Sequence, residues 1–317
     1  MLSDKQKLLI GALAVLGLIT LSYLDRTFVQ AGLWMFAGLT LTSGFFHGAL
    51  DIVLLQREFA SVRRFAGVTV FYAAAVVLLA ILCAHVGWLM LLLLLSMSVW
   101  HFGEPYGRWA QGDWVQRVIA GGAPVMLPAL LSAPAVRDLL PMAVGLDATW
   151  AWTIWQTMAW LWVGLCGFAV AAFVVGRQRQ FCKPLWQEVG LVLVLNLALS
   201  PLMAFSLYFG ALHAAAHIFR VVVRQPHGLH VEQTSRRHRG LRRPGALAIL
   251  LTCAATFFLL LPLVWYLQSA SLAASALHGL LNGLLVALTA VTLPHLILVS
   301  RNADWLAGLT FTKRSKA

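Results

Sequence analysis

Ser206-Leu207-Tyr208-Phe209-Gly210-Ala211-Leu212-His213-Ala214-Ala215-Ala216-His217-Ile218-Phe219-Arg220 is an apolar run interrupted by two histidines four residues apart. It reads as a transmembrane helix, on which residues i and i+4 share a face, so both imidazoles point the same way. Ionisable side chains inside a span are rare and usually face a bundle interior, where they bind ions, relay protons or hold ligands. Neutral imidazoles that hold a metal are the first candidate. H-x-x-x-H alone is a weak motif, and a membrane histidine also serves as a hydrogen-bonded packing residue. His47, His101 and His295, which also sit in apolar runs, add weight to the metal reading.

The whole chain has the same character. Of its 317 residues 61% are hydrophobic and 11% charged, and the mean hydropathy is +0.83. These values indicate an integral membrane protein. The net charge of +12 does not indicate nucleic acid, because Lys and Arg fall in short segments between hydrophobic runs, the pattern that orients a protein in a bilayer. Cys83, Cys166, Cys182 and Cys253 have no C-x-x-C spacing and imply neither a disulfide framework nor a thiolate metal site. The apolar run from Leu8 is expected to be an uncleaved first span.

A span needs roughly 20 apolar residues. Ten segments approach this, near 8–24, 31–55, 66–84, 86–103, 117–133, 150–175, 184–199, 201–221, 245–267 and 276–299. The expected fold is thus an all-α, polytopic bundle of about ten transmembrane helices in a single domain, 1–317. Gly121, Gly122, Pro124 and Pro128 suggest a broken or re-entrant fifth segment, and 132–149 reads as an exposed loop or surface helix. Trp150, Trp152, Trp155, Trp160 and Trp162 read as an interfacial belt running into lipid-facing positions. Gly279 and Gly283 suggest close helix packing.

With both termini cytoplasmic, only Arg26 and Arg137 of the 23 Lys and Arg residues lie outside, an asymmetry that supports the span count and the orientation. The basic loop at about 222–244 is then a cytoplasmic orientation signal and anionic-lipid contact. His47, His101, His213, His217 and His295 all fall on even-numbered spans. At about 1.5 Å per residue they lie roughly 5 to 20 Å from the cytoplasmic surface. Independent packing histidines would have no reason to share that depth. His85 falls in a tight outer turn and His278 at an outer helix end, and His227, His230 and His238 lie in the basic loop.

Two of the histidines have nearby acids. Asp51 follows His47 by four residues and Glu104 follows His101 by three; metal-bound imidazoles usually donate their other N–H to a carboxylate, carbonyl or water. Asp51 lies deeper, whereas Glu104 is either a second such acid or a solvated residue at a helix end. Pro294 directly precedes His295 and is expected to bend its span.

His47-Gly48-x-x-Asp51, His101-Phe102-Gly103, His213-x-x-x-His217 and Pro294-His295, in this order, resemble the Brp/Blh family of membrane-embedded bacterial and archaeal β-carotene 15,15′-dioxygenases. The resemblance covers nearly the whole chain. Glu104-Pro105-Tyr106-Gly107 departs from the family's H-F-G-x-x-D form. The resemblance implies that His47, His101, His213 and His217 are catalytic Fe(II) ligands, with Asp51, Glu104 and His295 around them. It implies an oxidoreductase of the inner (plasma) membrane that cleaves β-carotene with O2 at the central double bond into two retinals. A site in the bilayer would receive an apolar polyene directly and exclude water. Phe45, Phe46, Trp100, Phe102, Tyr208, Phe209 and Phe219 flank the histidines and are candidates for a substrate tunnel. A desaturase-type oxygenase would carry more histidines, some adjacent. A histidine-relay metal or proton transporter would place ionisable residues in both membrane halves, and the outer half has almost none. A non-catalytic carotenoid- or retinal-binding protein that assists rhodopsin biogenesis stays open, as do the exact carotenoid and any rhodopsin partner.

Overall fold

The computed structural model describes residues 4–28, 30–59, 61–109, 114–144, 148–175, 183–223 and 276–301. The predicted span at 245–267 and the basic loop beyond residue 223 lie outside them. The described residues are helical, with no strand among them. The helices are α1 (Asp4–Thr27), α2 (Ala31–Leu39), α3 (Phe45–Ala49), α4 (Asp51–Glu58), α5 (Val62–His85), α6 (Gly87–Phe102), α7 (Glu104–Trp109), α8 (Trp114–Leu131), α9 (Ala133–Val144), α10 (Ala148–Val174), α11 (Lys183–Ala198), α12 (Pro201–Ser206), α13 (Ala215–Val223) and α14 (Ala276–Arg301). Two π-helical segments are built in: π1 (Thr40–Gly44) joins α2 to α3, and π2 (Leu207–Ala214) joins α12 to α13.

Among the described residues, six helical stretches are long and apolar enough to cross a membrane: Val62–His85, Gly87–Tyr106, Trp114–Leu131, Thr149–Val174, Pro201–Phe219 and Gly279–Arg301, with Pro184–Ala198 a shorter apolar helix. Their outer faces remain hydrophobic. Phe71 on α5 is 75% exposed, and Leu161 and Val174 on α10 are 70% and 76% exposed. Such faces suit hydrocarbon, where a helix satisfies all its own backbone groups.

At the centre lies α8, buried along most of its length against α6, α10 and α11. Contrary to the expectation of a broken segment, it runs through Pro124 and Pro128 without interruption. Its small residues explain the close fit. A Cβ at Gly121 would collide with the carbonyl of Val99, and one at Gly122 with the indole of Trp162. Helices rich in Gly and Ala approach closely enough for dispersion to hold them in lipid, where no hydrophobic force acts between them.

Two tryptophans of the predicted belt point inward instead. Trp155 Nε1 donates to Val125 O at 2.7 Å, and Trp162 Nε1 donates to Val118 O and Ile119 O, each at 3.2 Å. An indole N–H buried in an apolar bundle needs an acceptor, and α8 carbonyls supply it. Trp150 and Trp160 do face outward. The stretch expected to be an exposed loop or surface helix contains a helix, α9, which also buries Val136 and Leu140 and packs against α10 and α14.

At the other side of the bundle π1 and π2 cross at their glycines. A Cβ at Gly210 would lie 2.6 Å from Leu39 Cβ and 3.0 Å from Ser43 Oγ, and one at Gly44 would lie 2.9 Å from the Phe209 ring. In π1, Thr42 Oγ1 donates to Gly38 O at 2.6 Å and Ser43 Oγ to Leu39 O at 3.0 Å. Side chains that bond back one turn in this way offer the ladder an alternative partner and favour local distortion. Asp25 on α1 anchors this side, accepting from Ser200 N at 2.5 Å and Ser200 Oγ at 2.8 Å at the start of α12.

Candidate metal centre

Each histidine of the predicted set is delivered by a different local device. His47 sits in α3, directly after π1, and His213 lies within π2. An extra residue in a helical turn rotates everything beyond it, and such π segments concentrate at functional sites. His101 is near the end of α6, His217 in α13, and His295 follows Pro294 within α14, which continues through that proline.

The five imidazoles meet in the bundle interior, with exposures from 2% to 9%. Nε2 of His101 lies 3.3 Å from Nε2 of His47 and 3.0 Å from Nε2 of His213. The rings of His217 and His295 also pack against His47, with centroids 4.2 Å and 4.5 Å away. Ligand atoms of His47, His101 and His213 lie within 4.8 Å of one another, as do those of His47, His217 and His295. Two nitrogens about 2.1 Å from a shared ion and subtending a right angle are about 3 Å apart, so the Nε2 spacings fit one. His295 Nε2 is buried and has no hydrogen-bond partner among the described residues. Buried acceptors without donors are what an absent cation would explain. A cavity of about 30 Å³, lined by His47, His101 and His295 with Gly44, Gly48 and Phe209 among others, has room for an ion and a small ligand.

The carboxylates behave differently from their sequence spacing. Asp51, expected beside His47, bonds His295 instead: its Oδ1 lies 2.7 Å from His295 Nδ1. Its other oxygen, Oδ2, accepts from the hydroxyl of Tyr72 at 2.6 Å. Glu104 is 6% exposed and therefore not a solvated residue.

The aromatic residues named from sequence divide in two. Phe102, Tyr208 and Phe209 are buried beside the histidines, and Phe102 packs edge-on against His213 with centroids 4.8 Å apart. Phe46, Trp100 and Phe219 are 41%, 42% and 58% exposed and sit on the outside of the bundle. Phe45 is partly buried.

A larger apolar cavity of about 100 Å³ adjoins the site, walled by Phe36, Leu91, Leu95, Val125, Trp155 and Phe205 among others. Ser98 lines both cavities. Tyr72, Ser98 and Glu188 are site-supporting residues that the sequence did not single out. Glu188 accepts from Tyr208 Oη at 2.5 Å and also from the hydroxyl of Tyr106. Each is a polar group within an apolar helix, which is the signal that could have flagged them.

A family model described as beta-carotene 15,15′-dioxygenase matches residues 38–301. No curated protein and no solved structure matches the chain.

Proposed function

Because the chain belongs to the beta-carotene 15,15′-dioxygenase family, we propose that it cleaves β-carotene with O2 at the central double bond, using Fe(II) held by His47, His101, His213 and His217 in the plasma membrane. The convergence of these buried histidines from distant segments carries the reading. Imidazole suits iron, and four neutral ligands leave positions open without a thiolate or a ligating carboxylate. When bound, Fe(II) supplies the activation of O2.

The reaction needs no external reductant. The central C=C bond breaks, each of its carbons gains one oxygen atom of O2, and two C20 aldehydes result. The protein's part is to hold the metal and to orient an apolar substrate away from water. The cavity at the histidines is too small for a polyene, so one arm of the carotenoid would occupy the larger apolar cavity and pass Ser98 to bring its midpoint to the histidines. The apolar lining of that cavity supports this use: desolvating a hydrocarbon there leaves no buried polar group of the wall unpaired.

The test is pigment analysis of β-carotene-accumulating bacteria that express the chain or its His213→Ala form. Bleaching with retinal produced only by the intact chain supports the reading. Undiminished β-carotene beside well-inserted, iron-replete protein would contradict it and favour a carotenoid-binding role.

A further inference from the structure

Asp51, Tyr72 and His295 come from three helices, α4, α5 and α14, and form one buried chain of hydrogen bonds. Tyr72 Oη donates to Asp51 Oδ2 at 2.6 Å, and Asp51 Oδ1 meets His295 Nδ1 at 2.7 Å. Asp51 and His295 are 3% and 2% exposed. A carboxylate on Nδ1 makes that nitrogen the donor and leaves the lone pair on Nε2. Nε2 of His295 is buried and has no hydrogen-bond partner among the described residues, and a ring nitrogen of His295 lies within 4.8 Å of one on His47 and one on His217. The His295 ring centroid is 4.5 Å from that of His47, 5.0 Å from His101 and 5.5 Å from His217.

We propose that His295 is a fifth ligand to the metal, through Nε2, and that Asp51 and Tyr72 are positioning residues that set its tautomer and aim its ring. The proposal rests on the reading that the histidine cluster holds iron. A second hydrogen bond, from Tyr72, stops the carboxylate from swinging toward the cluster and keeps Asp51 on Nδ1. The carboxylate also brings a negative charge next to a ligand set that is otherwise neutral, and it makes the imidazole a better donor to a cation.

The test uses the full chain in detergent, stripped of metal and titrated with Fe(II) without oxygen. X-ray absorption of the loaded protein counts the imidazoles. The wild type is expected to bind one ion with five histidines. His295→Ala should show one fewer imidazole and an affinity lower by about 100-fold or more, restored in part by added imidazole. Asp51→Asn keeps both hydrogen-bond contacts in outline but loses the charge, and it should lower affinity by roughly 10- to 100-fold with the imidazole count unchanged. Tyr72→Phe should act in the same direction and more weakly. His295→Gln, which preserves bulk, carries the test should the alanine form fail to assemble. An unchanged affinity and an unchanged absorption spectrum in the His295 variants would overturn the proposal while leaving the metal reading intact. A wild type that binds no stoichiometric metal would overturn both.

Discussion

His47 is the residue on which both halves of the histidine cluster meet, since it belongs to the group with His101 and His213 and to that with His217 and His295. Its replacement by alanine is expected to abolish stoichiometric iron binding, measured by metal analysis of purified protein; retention of one iron per chain would remove it from the site. Glu188 acts at one remove. It holds Tyr208, which lies in the same π segment as His213. Glu188→Ala removes an acceptor shared by two tyrosines and should lower stability by about 1–3 kcal/mol, read as an earlier thermal transition together with weaker iron retention. At this scale the histidines were legible because each is a polar residue alone in an apolar run. Their partners were not. Asp51 sits at helical spacing from His47 yet bonds His295 of α14, a partner distant in sequence. Tyr72 reaches Asp51 from a separate helix, a pairing that no local spacing encodes.

The elements that aim the site are the two π segments, and their fit depends on Gly44 and Gly210. Gly210→Val would push its new Cβ against Leu39 and Ser43 and drive π1 from π2, displacing His47 and His213 together. Overpacking of this kind costs about 1–3 kcal/mol. The expected outcome is a chain that still inserts but loses iron affinity along with stability; normal iron binding and an unshifted thermal transition would show that the crossing does not position the ligands. Spacing and hydropathy indicated helices at these positions, but a π segment has no sequence signature beyond Ser and Thr residues that bond back one turn. For α8 the prolines suggested a break. Close packing against α6 and α10 holds the helix continuous, a tertiary effect that a single segment's sequence does not contain. Likewise the tryptophans of α10 were legible as amphipathic, while the inward turn of Trp155 and Trp162 depends on which α8 carbonyls lie opposite.

Across the whole molecule, lipid-facing apolar helices enclose a polar cluster at one point and an apolar cavity beside it. Composition made the membrane class legible, and the shared depth of the histidines pointed to one site before any contact was known. The cavity was not legible, because its walls come from α2, α6, α8, α9, α10, α12 and α14 and, apart from Ser98 and Trp155, are ordinary Leu, Val, Pro and Phe residues. Leu95→Trp would fill part of it. The expected result is a raised KM for β-carotene with iron affinity unchanged; equal effects on both would mean that the substitution disturbs the bundle rather than a substrate chamber. Metal that binds only the folded chain also stabilises it by mass action. Loading with iron at 100 times its Kd should therefore add about 2.7 kcal/mol, visible as a thermal shift that a chelator reverses and that His47→Ala lacks. Whether the histidine cluster holds an iron that cleaves a carotenoid is decided by reconstitution. Metal-free protein would be loaded with Fe(II) without oxygen, given β-carotene, and then exposed to O2. Two retinals are expected for each β-carotene consumed, only after O2 enters and only with Fe(II) present. Equal turnover by metal-free protein, or by His213→Ala, would contradict iron-dependent cleavage at the cluster.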